Sequence, residues 1–360
     1  MFSLCLQVMQ DALFPDDEPP APPPKPGPTS RSIKREGASG GLRVRPQPPT
    51  PAHVELAAAL PQLARLGTSS WTYPGWTGLV WDDDYSDVQL SRHGLAAYAQ
   101  HPLFRAVSLD RAFYRPLSAL QYAGYARQVG EDFRFTVKGP ALVTDATVRG
   151  ETGRAVQLNP AFLDAELAVQ EFVQPALSGL GLKLGALVFE ISPLPRHLLA
   201  NMPELLQRLA AMLQALPPFK DQAPDAVVAV EVRDPEWLTP DFAAVLRATG
   251  ATYCLGLHAK MPSIEGQLPM LRALWPGPLV CRWNLHRMHG AYGYEDAAKR
   301  YLPYNRLMDE DMETRATLAR VINATVQAGH HAFVTLSNKA EGCAPLSVAA
   351  LAGEIVRQRS

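Results

Sequence analysis

Cysteine, net charge and long apolar runs are all scarce in this sequence, and each scarcity removes a class of protein. Four cysteines, Cys5, Cys254, Cys281 and Cys343, are scattered over 360 residues. They form no C-x-x-C pair and no zinc-type spacing, which argues against a disulfide framework and for reduced thiols in a cytoplasm. Cys254 and Cys281 stand in apolar runs, as small core residues do. The formal net charge is -1, so no overall field draws the chain to nucleic acid or to an anionic membrane surface. No segment approaches the ~20 consecutive apolar residues of a membrane span. The first nine residues, Met1 to Met9, are apolar but lack a basic start and run into Asp11, which argues against a signal peptide. They read as a docking segment or as the product of a misplaced start codon. Gly150-Glu-Thr-Gly153 lacks the Lys-Ser/Thr ending of a phosphate loop. No serine-centred nucleophile elbow occurs, and no G-x-G-x-x-G follows the first strand-like run.

Proline is plentiful, and it is concentrated near the start. Pro19-Pro20-Ala21-Pro22-Pro23-Pro24-Lys25-Pro26 and the flexible Gly37-Ala-Ser-Gly-Gly41 cannot bury enough surface to offset chain entropy. Residues 1–60 are therefore expected to form a disordered, proline-rich tail. Arg31, Lys34, Arg35, Arg43 and Arg45 make it basic, so it could touch nucleic acid or an acidic partner, or remain solvated.

From residue 61 onward the texture is that of one globular domain. Eight strand-like runs occur: Arg65–Ser69, Phe104–Leu109, Phe133–Val137, Ala186–Ile191, Val227–Val232, Thr252–Leu257, Leu279–Trp283 and His331–Leu336. Helical patterns lie between most of them, at Ser118–Gln128, Pro160–Val173 behind an Asn159 cap, His197–Ala215, Asp241–Thr249, Glu310–Ala328 and Leu346–Arg357. Alternating strand and helix implies parallel strands joined by crossovers. Eight such units over residues 61–360 predict an α/β fold of the (β/α)₈ TIM-barrel type. A doubly wound open sheet is the alternative.

The run Val227-Val-Ala-Val-Glu-Val-Arg-Asp-Pro-Glu-Trp237 shows where the chemistry belongs. Side chains alternate along a strand, so Val228, Val230 and Val232 face helices while Ala229, Glu231 and Arg233 face the barrel axis. The same parity recurs for Asp110, Lys138, Glu190, His258, Arg282 and Asn284 at the ends of other strands. In a TIM barrel those C-terminal ends build the active site. Burying so many charges for stability alone is costly, so a polar pocket is expected there, though a structural ion-pair network remains open. Glu231, Lys138, Glu190 and Asp110 are the candidate catalytic groups for acid/base work. Two free carboxylates would suit glycoside chemistry, and a lysine of lowered pKa would suit a Schiff base. Arg233, Arg282, His258, Asn338, Trp71, Tyr73, Tyr114 and Trp237 are the candidate ligand-binding residues, the arginines gripping an anion and the aromatics stacking on a sugar or base. His258, His286 and His289 could hold a divalent metal with Asp110 or Glu231, but the spacing matches no firm motif, and no metal ligand is assigned and no cofactor is identified.

Several motifs occur in the order of a known family. Leu66-Gly-Thr-Ser-Ser-Trp71 with Tyr73 and Trp76, Ala112-Phe-Tyr-Arg115, Phe133-Arg-Phe-Thr-Val-Lys138, Leu184-Gly-Ala-Leu-Val-Phe189, Val228–Trp237, and Ser337-Asn338 with Gly342, Ala344 and Pro345 resemble the YecE-like family, domain of unknown function 72. The resemblance covers about residues 63–355 and implies a TIM-type barrel. It carries no settled activity. Ser108, Asp110, Glu190, His258 and the loop Asn284–Gly290 depart from the family pattern, and Lys339 follows Asn338 where the resemblance leads one to expect Asp, so the chain reads as a divergent member. The function expected is an enzyme acting on a small polar, anionic or sugar-like substrate. The alternative is a non-catalytic module that binds nucleic acid or protein.

Overall fold

The computed structural model describes residues 43–149 and 155–359. Eight parallel strands close into a barrel, each hydrogen-bonded to its neighbours in chain order. We label the barrel strands β1 (Ala64–Thr68), β2 (Ala106–Leu109), β3 (Arg134–Lys138), β4 (Leu184–Ile191), β5 (Val227–Val232), β6 (Thr252–Leu257), β7 (Leu279–Trp283) and β8 (Ala332–Leu336). All eight expected runs are barrel strands, three with the expected ends and five with ends shifted by a residue or two. The ladder closes where Ala64 to Thr68 pair with Ala332 to Leu336.

The alternation read from the sequence determines which face is which. Val228, Val230 and Val232 join the large core between barrel and helices. Ala186, Val188, Ala229, Cys254, Val280 and Phe333 form a separate cluster inside the barrel. This plug of mostly small side chains fills the middle of the barrel, as expected for a packed interior. Close approach sets its dimensions. A Cβ on Gly67 would lie 1.8 Å from the Ala106 carbonyl oxygen, so only glycine lets β1 lie this close to β2.

The surrounding helices start and stop where local chemistry dictates. Ser118 and Gln121 form a reciprocal capping box ahead of the helix Ala119–Ala126. Thr239 caps the helix Pro240–Thr249, which ends at Gly250 in the left-handed conformation (φ 68°). The helix expected over residues 160–173 is different. Asn159 caps no helix: its amide donates to the carbonyls of Leu142 and Asp145, both at 2.8 Å. Asp164 caps the helix instead, accepting from the Leu167 amide, and a π turn over Val169–Val173 follows. Asn159 is drawn away because it closes the hairpin formed by Thr147–Arg149 and Ala155–Leu158, two short strands that sequence periodicity did not reveal.

Residues 43–60, expected to belong to the tail, are instead ordered against the barrel. Val44 is buried, Pro46 bridges to Trp81, and Thr50 caps a helix over Pro51–Ala59. Arg105 holds that helix end by donating to the Ala57 and Pro61 carbonyls at 2.7 and 2.8 Å. Arg45 pairs with Asp82 at 2.7 Å. The proline run, Arg31, Lys34, Arg35, and the stretch Gly150–Gly153 lie outside the described residues. Among the described residues, no helix is long and apolar enough to cross a membrane.

Candidate active site

Three layers of side chains fill the barrel from bottom to top. At the N-terminal mouth, Arg134 donates to Asp225 at 2.6 and 3.1 Å, and Arg65 pairs with Asp132 at 2.8 Å. Arg134 shares a face with Lys138 but sits at the opposite end of β3, so it belongs to this structural plug. The apolar layer described above comes next. At the C-terminal mouth, Asp110, Lys138, Glu190, Glu231, Arg233 and Arg282 converge, as the parity required.

Their bonding is closed on itself. Arg282 Nη1 donates to Glu190 Oε2 at 2.6 Å and to Glu231 Oε2 at 2.7 Å, and its Nη2 donates to Asp110 Oδ2 at 2.7 Å. Arg233 Nη2 donates to Glu190 Oε2 at 2.7 Å and lies 2.8 Å from Glu231 Oε1. Lys138 Nζ lies 3.1 Å from Glu190 Oε1. Three cations thus balance three acids, and each acid has a charged partner. This balance makes burial affordable, because stripping water from an unpaired charge costs several kcal/mol and charge-assisted bonds offset it.

The members of this network differ in access and in proton affinity. Glu231 is fully buried beneath the two arginines, with Asn284 Nδ2 donating to its Oε1 at 3.2 Å. Gly256 makes room for it, since a Cβ there would stand 3.0 Å from that oxygen. Burial alone would raise Glu190, but Arg233, Lys138 and Arg282 override it and hold the carboxyl well below the usual range. Glu190 is therefore an ionised counter-charge at neutral pH. Asp110 is the most open of the three acids, and its Oδ1 accepts from Ser108 Oγ at 2.6 Å. Lys138 is pushed below the ordinary lysine value by burial, reinforced by Arg282 and Arg233 and opposed by Glu190 and Asp110. Its Nζ also sits 3.4 Å above the Phe113 ring.

His258 borders the same space. Its Nδ1 accepts from the Lys260 backbone N–H at 3.0 Å. A backbone amide can only donate, so the ring proton resides on Nε2. Burial, with Arg233 next, pushes its pKa down to about 4. The imidazole is neutral at pH 7 and offers a donor, not a free base.

Above this layer opens a cleft of about 1210 Å³. It is lined by Trp71, Tyr73, Tyr114, Asp110, Lys138, Glu190, Arg233, His258 and Arg282 among the expected residues. Glu231, Asn338 and Trp237 do not line it. Asn338 Oδ1 accepts from Trp76 Nε1 at 3.2 Å and from the Ala344 amide at 2.8 Å, tying the loop after β1 to the last helix. Trp237 is fully buried, with its ring 5.5 Å from Phe242. Sequence parity missed Arg111, Arg115, Lys260, Tyr292, Tyr294, Tyr304 and Lys339, which also line the cleft. They come from the loops and short helices that follow the strands, where strand parity says nothing about direction. The lining carries seven cationic and three acidic side chains, so a chain of overall charge -1 presents a locally positive cleft. Such a cleft concentrates anions.

The metal reading finds no donor set. Among the described residues, no three His, Cys, Asp or Glu side chains gather as a metal site. His289 Nε2 lies 2.7 Å from the Tyr301 hydroxyl, and His286 Nδ1 accepts from the Met288 amide. The glycoside reading loses its free carboxylate pair, because Glu190 and Glu231 share one nitrogen of Arg282.

Residues 65–360 match the model of the family described as protein of unknown function DUF72. No curated protein matches the chain. Among solved structures, a DUF72 family protein from Enterococcus faecalis aligns over 81% of this chain and 95% of its own, with 17% identity and a TM-score of 0.52. Another from Thermotoga maritima aligns over 82% of this chain and 98% of its own, with 16% identity and a TM-score of 0.43. At such identities the first of these likenesses supports the fold alone.

Proposed function

The chain belongs to the DUF72 family, and from the site it builds we propose that it is an enzyme performing acid/base chemistry on a small polar, anionic substrate in the cleft above β1 to β8. Lys138 carries this reading. It is a lysine at the cleft floor, its proton affinity is lowered by burial, and its acidic partner Glu190 is held by two guanidiniums. Glu190 fixes the amine in place without competing for its proton. A lysine so placed gives up and regains a proton near neutral pH more readily than a free one.

The other groups take supporting roles. Asp110 is the carboxylate open to the substrate. Arg233 and Arg282 supply fixed positive charge, and the His258 Nε2–H donates to an anionic oxygen of the substrate, its Nδ1 being occupied by the Lys260 amide. Glu231 is a positioning residue, because it holds Arg233 and Arg282 from below. Trp71, Tyr73 and Tyr114 form the walls.

The test is turnover. The full-length protein is screened by NMR against sugar acids, polyol phosphates and small hydroxy and keto acids, and Lys138→Met runs beside it. We expect conversion of one class by the wild type and a loss of at least ~100-fold in the variant, the low end of what a positioned acid or base contributes. Undiminished turnover by Lys138→Met would refute the role of Lys138.

A further inference from the structure

Two cations in the cleft have no acid to hold them. Lys339 follows β8 and Lys260 follows β6, and both are half-buried in the cleft wall. Among the described residues, neither Nζ lies within ion-pair distance of a carboxylate. Asp234 feels the charge of Lys260 but lies beyond ion-pair distance and accepts from the Leu194 amide. What surrounds these ammoniums is aromatic. Lys260 Nζ lies 4.8 Å from the Tyr292 ring, and Lys339 Nζ lies 5.8 and 6.0 Å from Tyr304 and Tyr294. The Tyr294 ring is also 5.3 Å from His258, whose Nε2–H is unspent. Lys339 and the His258 ring thus share Tyr294, Lys260 stands beside Tyr292, and all of them line the same cleft from the segments after β6 and β8.

We propose that Lys339, Lys260 and the His258 Nε2–H seat the phosphate of a phosphomonoester substrate whose remainder reaches down to Lys138. This rests on the reading of the cleft as the catalytic site. The assignment to phosphate follows from shape and charge. A carboxylate is best matched by the planar fork of arginine, and Arg233 and Arg282 are already paired with Glu190, Glu231 and Asp110. Two ammoniums and a single N–H, brought in from the segments after β6 and β8, instead suit a tetrahedral group with three terminal oxygens. Two lysines also match the charge of a phosphomonoester dianion. Loops after the last barrel strands are where this architecture commonly holds phosphate. Burial lowers the Lys339 amine with no anion present to restore it, so a bound dianion would raise it again.

Inorganic phosphate is the probe, titrated into the full-length protein by calorimetry and by ³¹P NMR, with acetate as control. We expect phosphate to bind the wild type more tightly than acetate. Lys339→Met and Lys260→Met should each weaken it at least tenfold, and Lys339→Arg should largely restore it. No binding by the wild type, equal binding in Lys339→Met, or acetate binding as tight as phosphate overturns the proposal. So does Lys138-dependent turnover of a substrate without a phosphate, and that result leaves the acid/base reading standing. Phosphate bound through Lys339, together with full turnover by Lys138→Met, upholds the subsite and removes the acid/base role instead.

Discussion

Replacing Arg282 by methionine removes the side chain that touches all three acids of the barrel mouth, Asp110, Glu190 and Glu231. The network then passes from neutral to one net negative charge. Arg233 still bridges Glu190 and Glu231, but Glu231 is fully enclosed and loses one of its two guanidiniums. Breaking a buried pair by removing one partner costs ~3–5 kcal/mol. The share from Asp110 is small, because its side chain is 34% exposed and water screens it. With ~2.1 cal/mol/K of unfolding entropy per residue, a barrel of roughly 300 ordered residues loses about 1.6 °C per kcal/mol, so the melting temperature should fall by ~5–8 °C. The assay is thermal and urea unfolding at pH 7 of wild type, Arg282→Met and the double variant Arg282→Met/Glu231→Gln. The double variant restores neutrality and should recover a large part of the loss. The pH dependence has a definite sign. The stability from the depressed Glu190 is fully present above the ordinary carboxylate pKa and is lost as pH falls through its lower folded value. Without Arg282 that depression shrinks, so the deficit of the variant should narrow as the solution is acidified below about pH 5. A loss under ~1 kcal/mol, or a double variant no better than the single, would refute the account of the network as a mutually dependent set of buried charges.

Gly256→Ala places a Cβ 3.0 Å from Glu231 Oε1, so it should push that carboxylate off Asn284 and Arg233, lower stability by ~1–3 kcal/mol as overpacking does, and reduce turnover without changing any charge. Unaltered unfolding and turnover would show that Glu231 has room to spare. Cys254 and Cys281 are buried and burial pushes both thiols up. They should resist iodoacetamide in the folded protein at pH 8 and react on unfolding in urea, and rapid native labelling would contradict the closed interior. His258 stays neutral down to its pKa of about 4, so its ring should show no protonation shift by NMR between pH 5 and 8, whereas a midpoint near 6.5 would show that burial and the Lys260 amide on Nδ1 do not hold it neutral.

The barrel and its polar mouth were legible because strands write their geometry into the sequence. Period-two alternation placed Glu231, Arg233, Glu190, Lys138 and Arg282 on one side of their strands, and eight parallel strands bring those sides together. The hairpin after β3, the helix Pro51–Ala59 and the cap at Asp164 were not legible, because short elements held by long-range contacts carry too little periodic signal. Asn159 shows the competition directly: a residue with good capping chemistry went to a tertiary partner.

What the sequence by itself determined is the parity, and therefore which charges enter the barrel. Tertiary structure decided what each charge does there. A one-dimensional reading cannot tell that Arg282 reaches three acids on three other strand ends, that Glu231 is sealed beneath it, or that Trp237 and Asn338 turn into the packing instead of the cleft. Nor can it tell that Lys260 and Lys339, far apart in the chain, both end in the wall of one cleft beside tyrosine rings. Pairing and exposure depend on distances between segments remote in sequence, and those distances exist only once the barrel has closed.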